Sequence, residues 1–588
     1  MPKIDILEED LTRATGSNVT DIPFIPGFAD VLGYVESDTY DSTKTYYIKN
    51  NGVYEYAPIT AFATQVTYYE AIKPQYNKAI YCGSISDFEA HFGKTPYAFQ
   101  DDQEILQSTA TLIDIKTGEL DKSYIMAKEL LARDMPIYYY AVEPFTAYFI
   151  DATNNSNEGS SLDLDPAAAN ESIGTYTIKL SRPLPGKKTY PITFKHHASI
   201  EISVSTSDNQ KVTITASGIQ NLTEAAIDKF NIEITAKANI TTKSSIIMNC
   251  KSVDINNFYS DLSAYFSLSY NSGDDCLEDR GEYDIKYITT GGYPNIDANT
   301  LGSTSESTIS LYSQMLTIAA NRGDCVALVE DIDTQLRDDI APNSGTSLFK
   351  KLSDTTSIDN DEYGAAFIPW AYHTLRSSIK DSDNIVITST YLPACFNYLS
   401  TLADNIKVGA NWLAMAGTTR GLVSSIISLK TNERLSNIIA DKYQPTNSNA
   451  GSRAINAVTD IKPYGLCIWG NRTLKKIVNG LVGTSFLNTR NMISDIKKVA
   501  YRVAKALIFE QNDETLWLNF KSQVSPFLDQ LKAGSGISDY KLLKLPTHYN
   551  GASLGKEEFA CAIKIFPIYA VESFEITVVV SDNDVSVN

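Results

Sequence analysis

Ile309 to Glu330 reads ISLYSQMLTIAANRGDCVALVE, and the period of its apolar residues changes part-way. Ile309, Tyr312, Leu316 and Ala319 recur at helical spacing and make one apolar face. Val326–Val329 is a short continuous apolar run, the pattern of a buried strand. The alternation extends both ways. Asp284–Ile288, Ala365–Trp370 and Ile385–Thr388 read as strands, and a helix follows near Pro393–Leu402. Alternating elements of this kind predict a mainly parallel sheet covered by helices.

Further upstream, Ala79–Cys82 reads as a strand and Ser86–Phe92 as a helix, with Ser86 as N-cap and Glu89 completing a capping box. Ser123–Arg133 reads as a helix, Pro136–Val142 as a strand, and IPGF at Ile25–Phe28 as a turn. Residues 1–21 are polar and acidic, the composition of an arm, and 22–150 form an N-terminal α/β part. Composition shifts at Asp151, where DATNNSNEGSSLDLDP is a polar loop. Alternating strands follow at Tyr176–Leu180, Ile192–Phe194, Ile200–Val204, Val212–Ala216, Ile232–Ala236 and Ser245–Met248. They predict an all-β sandwich inserted at 151–255, with the α/β chain resuming over 256–465.

Residues 466–570 form a C-terminal α/β unit. Its long helix spans Leu487–Phe509, with an apolar stripe of Ile493, Ile496, Ala500, Val503 and Leu507. The other face carries Arg490, Lys497, Lys498, Arg502 and Lys505 against Asp495. A second helical stretch holds Leu516, Phe520 and Val524. Ser525-Pro526 reads as a restart, and Gly534 and Gly536 as its end. Cys561, Ile563 and Ile565 mark a strand. Phe574, Ile576, Val578 and Val580 mark another within a final arm, 571–588.

At 588 residues the chain is too long for one core, and roughly 150 residues per domain suggests about four. An apolar fraction of 43% with 20% charged residues is that of a globular protein. A net charge of −20 argues against nucleic acid and against anionic membranes as partners. No apolar stretch is long enough to span a bilayer, and MPKIDILEEDLTR lacks a secretory h-region. The seven cysteines are scattered without a CxxC pair, which fits free thiols in a reducing compartment. The 35 tyrosines suit either interfaces or a Tyr-rich core.

Catalytic chemistry finds little support. His373 is the one histidine placed to serve a hydrolase triad in the parallel region, and GTS at Gly345–Ser347 precedes it. GTTRG at Gly417–Gly421 has Thr419 where a nucleophile elbow needs serine. His196 and His197 are strand neighbours and point to opposite faces. Asp274, Asp275, Glu278, Asp279, Glu282 and Asp284 lack EF-hand spacing and read as a solvated acidic turn. No phosphate-binding glycine loop occurs. No catalytic residue, metal or cofactor is assigned, and an enzyme is not expected.

WGNRTL at Trp469–Leu474, with Gly470 and Arg472 inside it, opens a run of family-like motifs. FLNTRNMISDIKKVAYRVAKALIFEQND follows from Phe486, then VSPFL at Val524–Leu528 with Pro526 and Phe527, then FPIYAVESFEITVVVS from Phe566. In this order they resemble the contractile tail sheath family of myophages and related phage-tail-like particles. SDFEAHFGKTPYAF from Ser86 and DKSYIMAKELLARDMPIYYYAV from Asp121 resemble its upstream segments less strongly, and the β insertion matches nothing. The resemblance implies a subtilisin-like-looking α/β core, a C-terminal assembly domain and extended terminal arms. It implies subunits in a helical stack of rings around an inner tail tube, with baseplate and tail terminator proteins at the ends. It places them in a virion tail or contractile particle assembled in the host bacterial cytoplasm. Another tail component, tube or baseplate, is the alternative, with a subtilisin-like hydrolase behind it.

Two expectations follow for residues. Phe574, Ile576, Val578 and Val580 form an inter-subunit arm strand, because an unpaired strand is a liability unless donated to a neighbour. Lys497, Lys498, Arg502 and Lys505 face the tube, because they contrast in charge with an acidic chain; a plain solvated face is the competing reading.

Overall fold

The computed structural model describes residues 21–29, 32–40, 46–50, 53–57, 61–97, 120–142, 147–151, 157–159, 161–164, 167–180, 189–195, 200–205, 211–214, 219–223, 231–236, 239, 244–249, 261–293, 310–330, 358–380, 385–406, 412–429, 453–476, 482–548 and 551–570. The expected arm strand at Phe574–Val580 and the pair His196-His197 lie outside them.

The elements that place the core are, in chain order, β1 (Pro23–Phe28), β2 (Ala79–Cys82), α1 (Ile85–Phe92), α2 (Lys122–Leu131), β3 (Ile137–Val142), β4 (Tyr287–Ile288), α3 (Ser310–Arg322), β5 (Val326–Glu330), β6 (Gly364–Ile368), β7 (Ala371–Lys380), β8 (Val386–Leu392), α4 (Ala394–Ile406), β9 (Ile426–Leu429), β10 (Asn456–Ile461) and β11 (Gly465–Trp469). Eight strands make one sheet in the order β11-β10-β6-β5-β4-β1-β3-β2. The interior pairs are parallel. Only the two edge pairs, β10–β11 and β2–β3, are antiparallel.

Strand alternation gives the sheet two apolar faces. Phe24, Ile288, Ala327, Val329, Ala366 and Ile368 pack one way, against Leu311, Met315, Leu316 and Ala319 of α3. Ile25, Tyr287, Val326, Leu328, Ala365 and Phe367 pack the other way, against α2 and α4. Burial on both faces explains why these strands read as continuous apolar runs.

The expected turn at Ile25–Phe28 is the second half of β1, fully buried near the sheet's centre. Thr289 N donates to Phe24 O, so Pro26, two residues on, turns its missing donor toward the same side. There β4 has already ended, and no ladder bond is lost. Gly27 clears the next position. A Cβ on it would lie 2.2 Å from Tyr139 Oη, the hydroxyl that donates to Phe28 O at 3.0 Å.

Other expectations shift locally. Ser84, not Ser86, caps α1: it is extended, and its Oγ accepts from Asp87 N. Ile385–Thr388 does not join the parallel sheet. It lies in β8, in a three-stranded antiparallel sheet ordered β8-β7-β9, because β7 follows β6 after only Pro369-Trp370 and sends the chain away from the parallel layer. Strands Gly33–Ser37, Tyr46–Asn50, Val53–Ala57 and Tyr68–Ile72 form a separate antiparallel sheet. Antiparallel sheets of six and four strands fill the insertion region; Ala147–Asp151, Asn157–Gly159, Ser161–Leu164 and Ile219–Thr223 join the six segments read from sequence, so the stretch from Asp151 expected as a polar loop carries strands, and the first of them begins ahead of the expected boundary. The chain is thus mixed α/β, with several sheets.

Candidate assembly interface

The C-terminal unit is built from α5 (Leu487–Ala506), α6 (Glu514–Ala533), β12 (Ile537–Lys544) and β13 (Cys561–Pro567). Met492 and Ile496 of α5 meet Trp517, Phe520, Val524, Phe527, Leu528 and Leu531 of α6 around Trp412. Helix α6 is continuous through Pro526, so Ser525 is not a cap. Pro526 sits on the exposed side, where the carbonyl it leaves unbonded reaches water, while Val524, Phe527 and Leu528 hold the buried side. Gly534 and Gly536 follow the helix, but neither has positive φ; Ser535 does. What they supply is room for Trp412: a Cβ on Gly534 would lie 2.4 Å from its Cζ2, and its Nε1 donates to Gly534 O at 2.9 Å.

β12 and β13 pair antiparallel, from Ile537↔Pro567 to Lys544↔Cys561. Tyr540, Leu542, Cys561, Ile563 and Ile565 cover the helices. Among the described residues these strands pair only with each other, so neither long edge of the ribbon has a described strand beside it. Chain order places the final segment directly after β13. β12 escaped sequence reading because its alternation is broken by a register shift between Ile537 and Asp539.

The WGNRTL motif joins this unit to the sheet. Trp469, at the end of edge strand β11, is 39% exposed. The following residues are buried. Arg472 stacks 4.5 Å from the Phe486 ring, while its N–H and C=O bond the side chain of Asn456 at 2.9 Å each. Asn471 and Asn488 exchange hydrogen bonds across the start of α5. Gly470 is the half-buried link between them and Trp469.

The expected basic face of α5 is largely turned onto the chain itself. Lys498 is buried, its Nζ 2.7 Å from Asp284 Oδ1, and Arg502 Nη2 lies 2.6 Å from Asp284 Oδ2. Arg490 is buried 3.5 Å over the Tyr363 ring, and Arg280 stacks on Tyr501. Lys498 is therefore not a free tube-facing residue; Asp284 of the acidic turn lies against it. Lys497 and Lys505 remain exposed, with Arg502 half exposed. Although the Lys497 side chain is exposed, its Nζ lies 5.9 Å from the Tyr363 ring, and partial desolvation there, with Arg490 and Arg280 nearby, holds the ammonium below its usual range. The acidic turn is structural rather than merely solvated: Asp275 accepts from Tyr283, and Glu278 from Asn321. Among the described residues no His, Cys, Asp and Glu group is placed to hold a metal. No described helix is long and apolar enough to cross a membrane.

His373 lies between Ser425 Oγ at 2.9 Å from Nδ1 and Asn397 Oδ1 at 2.8 Å from Nε2. The three resemble a relay, yet burial pushes the imidazole down to about 3 against the hydrogen bond with Asn397. A ring that must carry charge to act as a base is held neutral, and it serves to tie β7 to α4 and to the chain before β9. A depressed histidine contributes stability that is present above the unfolded value near 6.5 and is lost as pH falls toward about 3. Acid titration of thermal unfolding should show this loss, and His373→Gln should flatten it in that window. An unchanged slope in the variant contradicts the assignment.

No family model matches the chain. Over 268 residues it is 22% identical to the tail sheath protein of Vibrio phage KVP40, covering 45% of this chain and 38% of that protein. Over 181 residues it is 22% identical to the tail sheath protein of Enterobacteria phage T4, covering 31% and 26%. The chain is similar to phage tail sheath proteins. The matched stretches span less than half the length of either sheath relative. Among solved structures, the helical sheath of the anti-feeding prophage in its contracted state aligns over 98% of both chains at 9% identity, with a TM-score of 0.42.

Proposed function

We propose that this chain is the structural subunit of a contractile tail sheath, which polymerises helically around an inner tube and shortens to drive that tube through a target cell envelope. The observation that carries this reading is the β12–β13 ribbon, which among the described residues pairs with no other strand, on a packed unit that the final segment follows in the sequence. A strand of Phe574, Ile576, Val578 and Val580 laid on a neighbour's ribbon completes the ladder. Such contacts are head-to-tail, so they propagate as rings or helices. The segments 1–21 and 571–588 act as arms; 22–150 and 256–465 make one core, subtilisin-like in layout; 151–255 is an outward-facing sandwich; 466–570 is the assembly domain. The remaining partners are the tube, the baseplate and a tail terminator, in a virion tail or contractile particle built in the bacterial cytoplasm.

The motor needs no catalyst or cofactor. An extended lattice held by a kinetic barrier stores energy in poorer contacts, and many subunits switching together need only a few kcal/mol each. Lys497, Lys505 and the exposed half of Arg502 are the tube-facing residues in this reading. Lys497→Glu with Lys505→Glu should leave the subunit folded but reduce its loading on tubes, read by co-sedimentation. Lys498→Glu should instead destabilise the fold, since it places like charges beside Asp284. Full loading by the double variant removes the tube assignment. The sheath reading itself is tested by negative-stain microscopy of the purified chain: striated hollow tubes support it, and persistent monomers at high concentration count against it.

A further inference from the structure

The β12–β13 ribbon turns Tyr540, Leu542, Ile563 and Ile565 onto the helices. Its outer face therefore carries Asp539, Lys541 and Leu543 on β12, and Ala562, Lys564 and Phe566 on β13. Lys541 and Lys564 are direct cross-strand partners, and both are exposed. Like charges so placed repel. The carboxylates around them are taken: Asp539 lies 2.9 Å from Lys532, Glu514 lies 3.1 Å from Lys544, and Asp529 accepts from the Tyr540 hydroxyl. Among the described residues neither Lys541 nor Lys564 has an ion-pair partner. In a chain of net charge −20, an exposed pair of opposed lysines is a place for a carboxylate from elsewhere.

The final segment carries one at the right position. In Phe574–Val580 the apolar set Phe574, Ile576, Val578 and Val580 alternates with Glu575, Thr577 and Val579. A strand laid along β13 with its apolar set toward the helices puts Glu575, Thr577 and Val579 on the outer face. Apolar alternation leaves the register open, because a slip of two residues keeps every side chain on its face. Charge closes it. Glu575 is the one charged residue of its set, and Lys564 is the one charged residue among Ala562, Lys564 and Phe566. On the β12 side Glu575 would meet Lys541 only two positions from Asp539, so β13 is the better edge. We propose that Lys564 sets the register of a strand donated by a second copy of this chain, by pairing with Glu575 of that copy on the outer edge of β13. This pairing rests on the strand donation proposed above and adds an edge, a register and a residue pair to it.

Polymerisation of the full chain, followed by light scattering, reads the pairing. Lys564→Glu and Glu575→Lys each set like charges side by side. Each should raise the concentration needed for assembly about tenfold, with a larger effect at low salt than at high. Lys564→Glu should also raise the thermal midpoint of the unassembled subunit, because it gives Lys541 an opposite charge to face. A lysine kept only for folding would not combine better stability with poorer assembly. Mixing the two variants should restore assembly, since each ribbon then meets a neighbour's strand of opposite charge. Normal assembly of either variant alone overturns the proposal, and so does a mixture that stays monomeric; if the double variant assembles where the mixture does not, the pair lies within one subunit. A full chain that never polymerises, or one lacking 571–588 that still does, overturns the strand-donation reading and this pairing with it. Loss of assembly on truncation without any effect of Lys564→Glu overturns the pairing alone.

Discussion

A chain lacking residues 571–588 is expected to stay folded and monomeric under conditions where the full chain polymerises. The core is complete without that segment: β1 through β11, α5, α6 and the β12–β13 ribbon are all built from earlier residues. What the deletion removes is the strand available to a neighbour. A seven-residue strand on a sheet edge makes roughly three or four ladder bonds, each worth about 1 kcal/mol net. Their loss should raise the concentration needed for assembly by a factor on the order of 100 or more. Circular dichroism and light scattering separate the two effects. An unchanged spectrum with lost scattering is the expected result; scattering equal to that of the full chain sinks the arm assignment.

Arg322→Met is expected to be the most damaging single substitution in the core. The guanidinium is 1% exposed at the end of α3. Its Nη1 donates to Leu277 O at 2.5 Å, its Nη2 to Tyr283 O at 2.9 Å, and its Nε and Nη2 to the two oxygens of Asp324. One side chain thereby fixes the acidic turn to the helix and to the entry of β5. Methionine fills similar volume but leaves a buried carboxylate and two carbonyls unpaired, a loss of about 3–5 kcal/mol. Arg322→Lys keeps the charge without the fork and should recover only part of it. Denaturant midpoints measure both. A change of less than about 1 kcal/mol for Arg322→Met contradicts this account of the turn.

These examples mark where the sequence is legible. Period and composition are local, so α3, β5 and the six alternating strands of the insertion could be read directly, while its short polar strands Asn157–Gly159 and Ser161–Leu164 looked like loop. Pairing between distant segments is not local. Asp284 and Lys498 stand 214 positions apart, and nothing in either neighbourhood announces that the acidic turn closes on the basic helix. IPGF looked like a turn because proline and glycine usually mark one; only the early end of β4 and the hydroxyl of Tyr139 make a strand there possible. Pro526 misled for a similar reason, since tolerance of a proline inside α6 depends on which side of the helix is buried. Of the candidate assembly residues, the basic positions could be listed from sequence, but their partition into paired and exposed could not.

The central claim is that subunits join by strand donation onto β12–β13. A reconstruction by electron microscopy of the polymer formed by the full chain tests it most directly. The expected density shows the ribbon widened by a strand containing Phe574–Val580 from a neighbouring subunit. A polymer in which both ribbon edges stay bare, or in which that strand pairs only within its own subunit, would contradict the account.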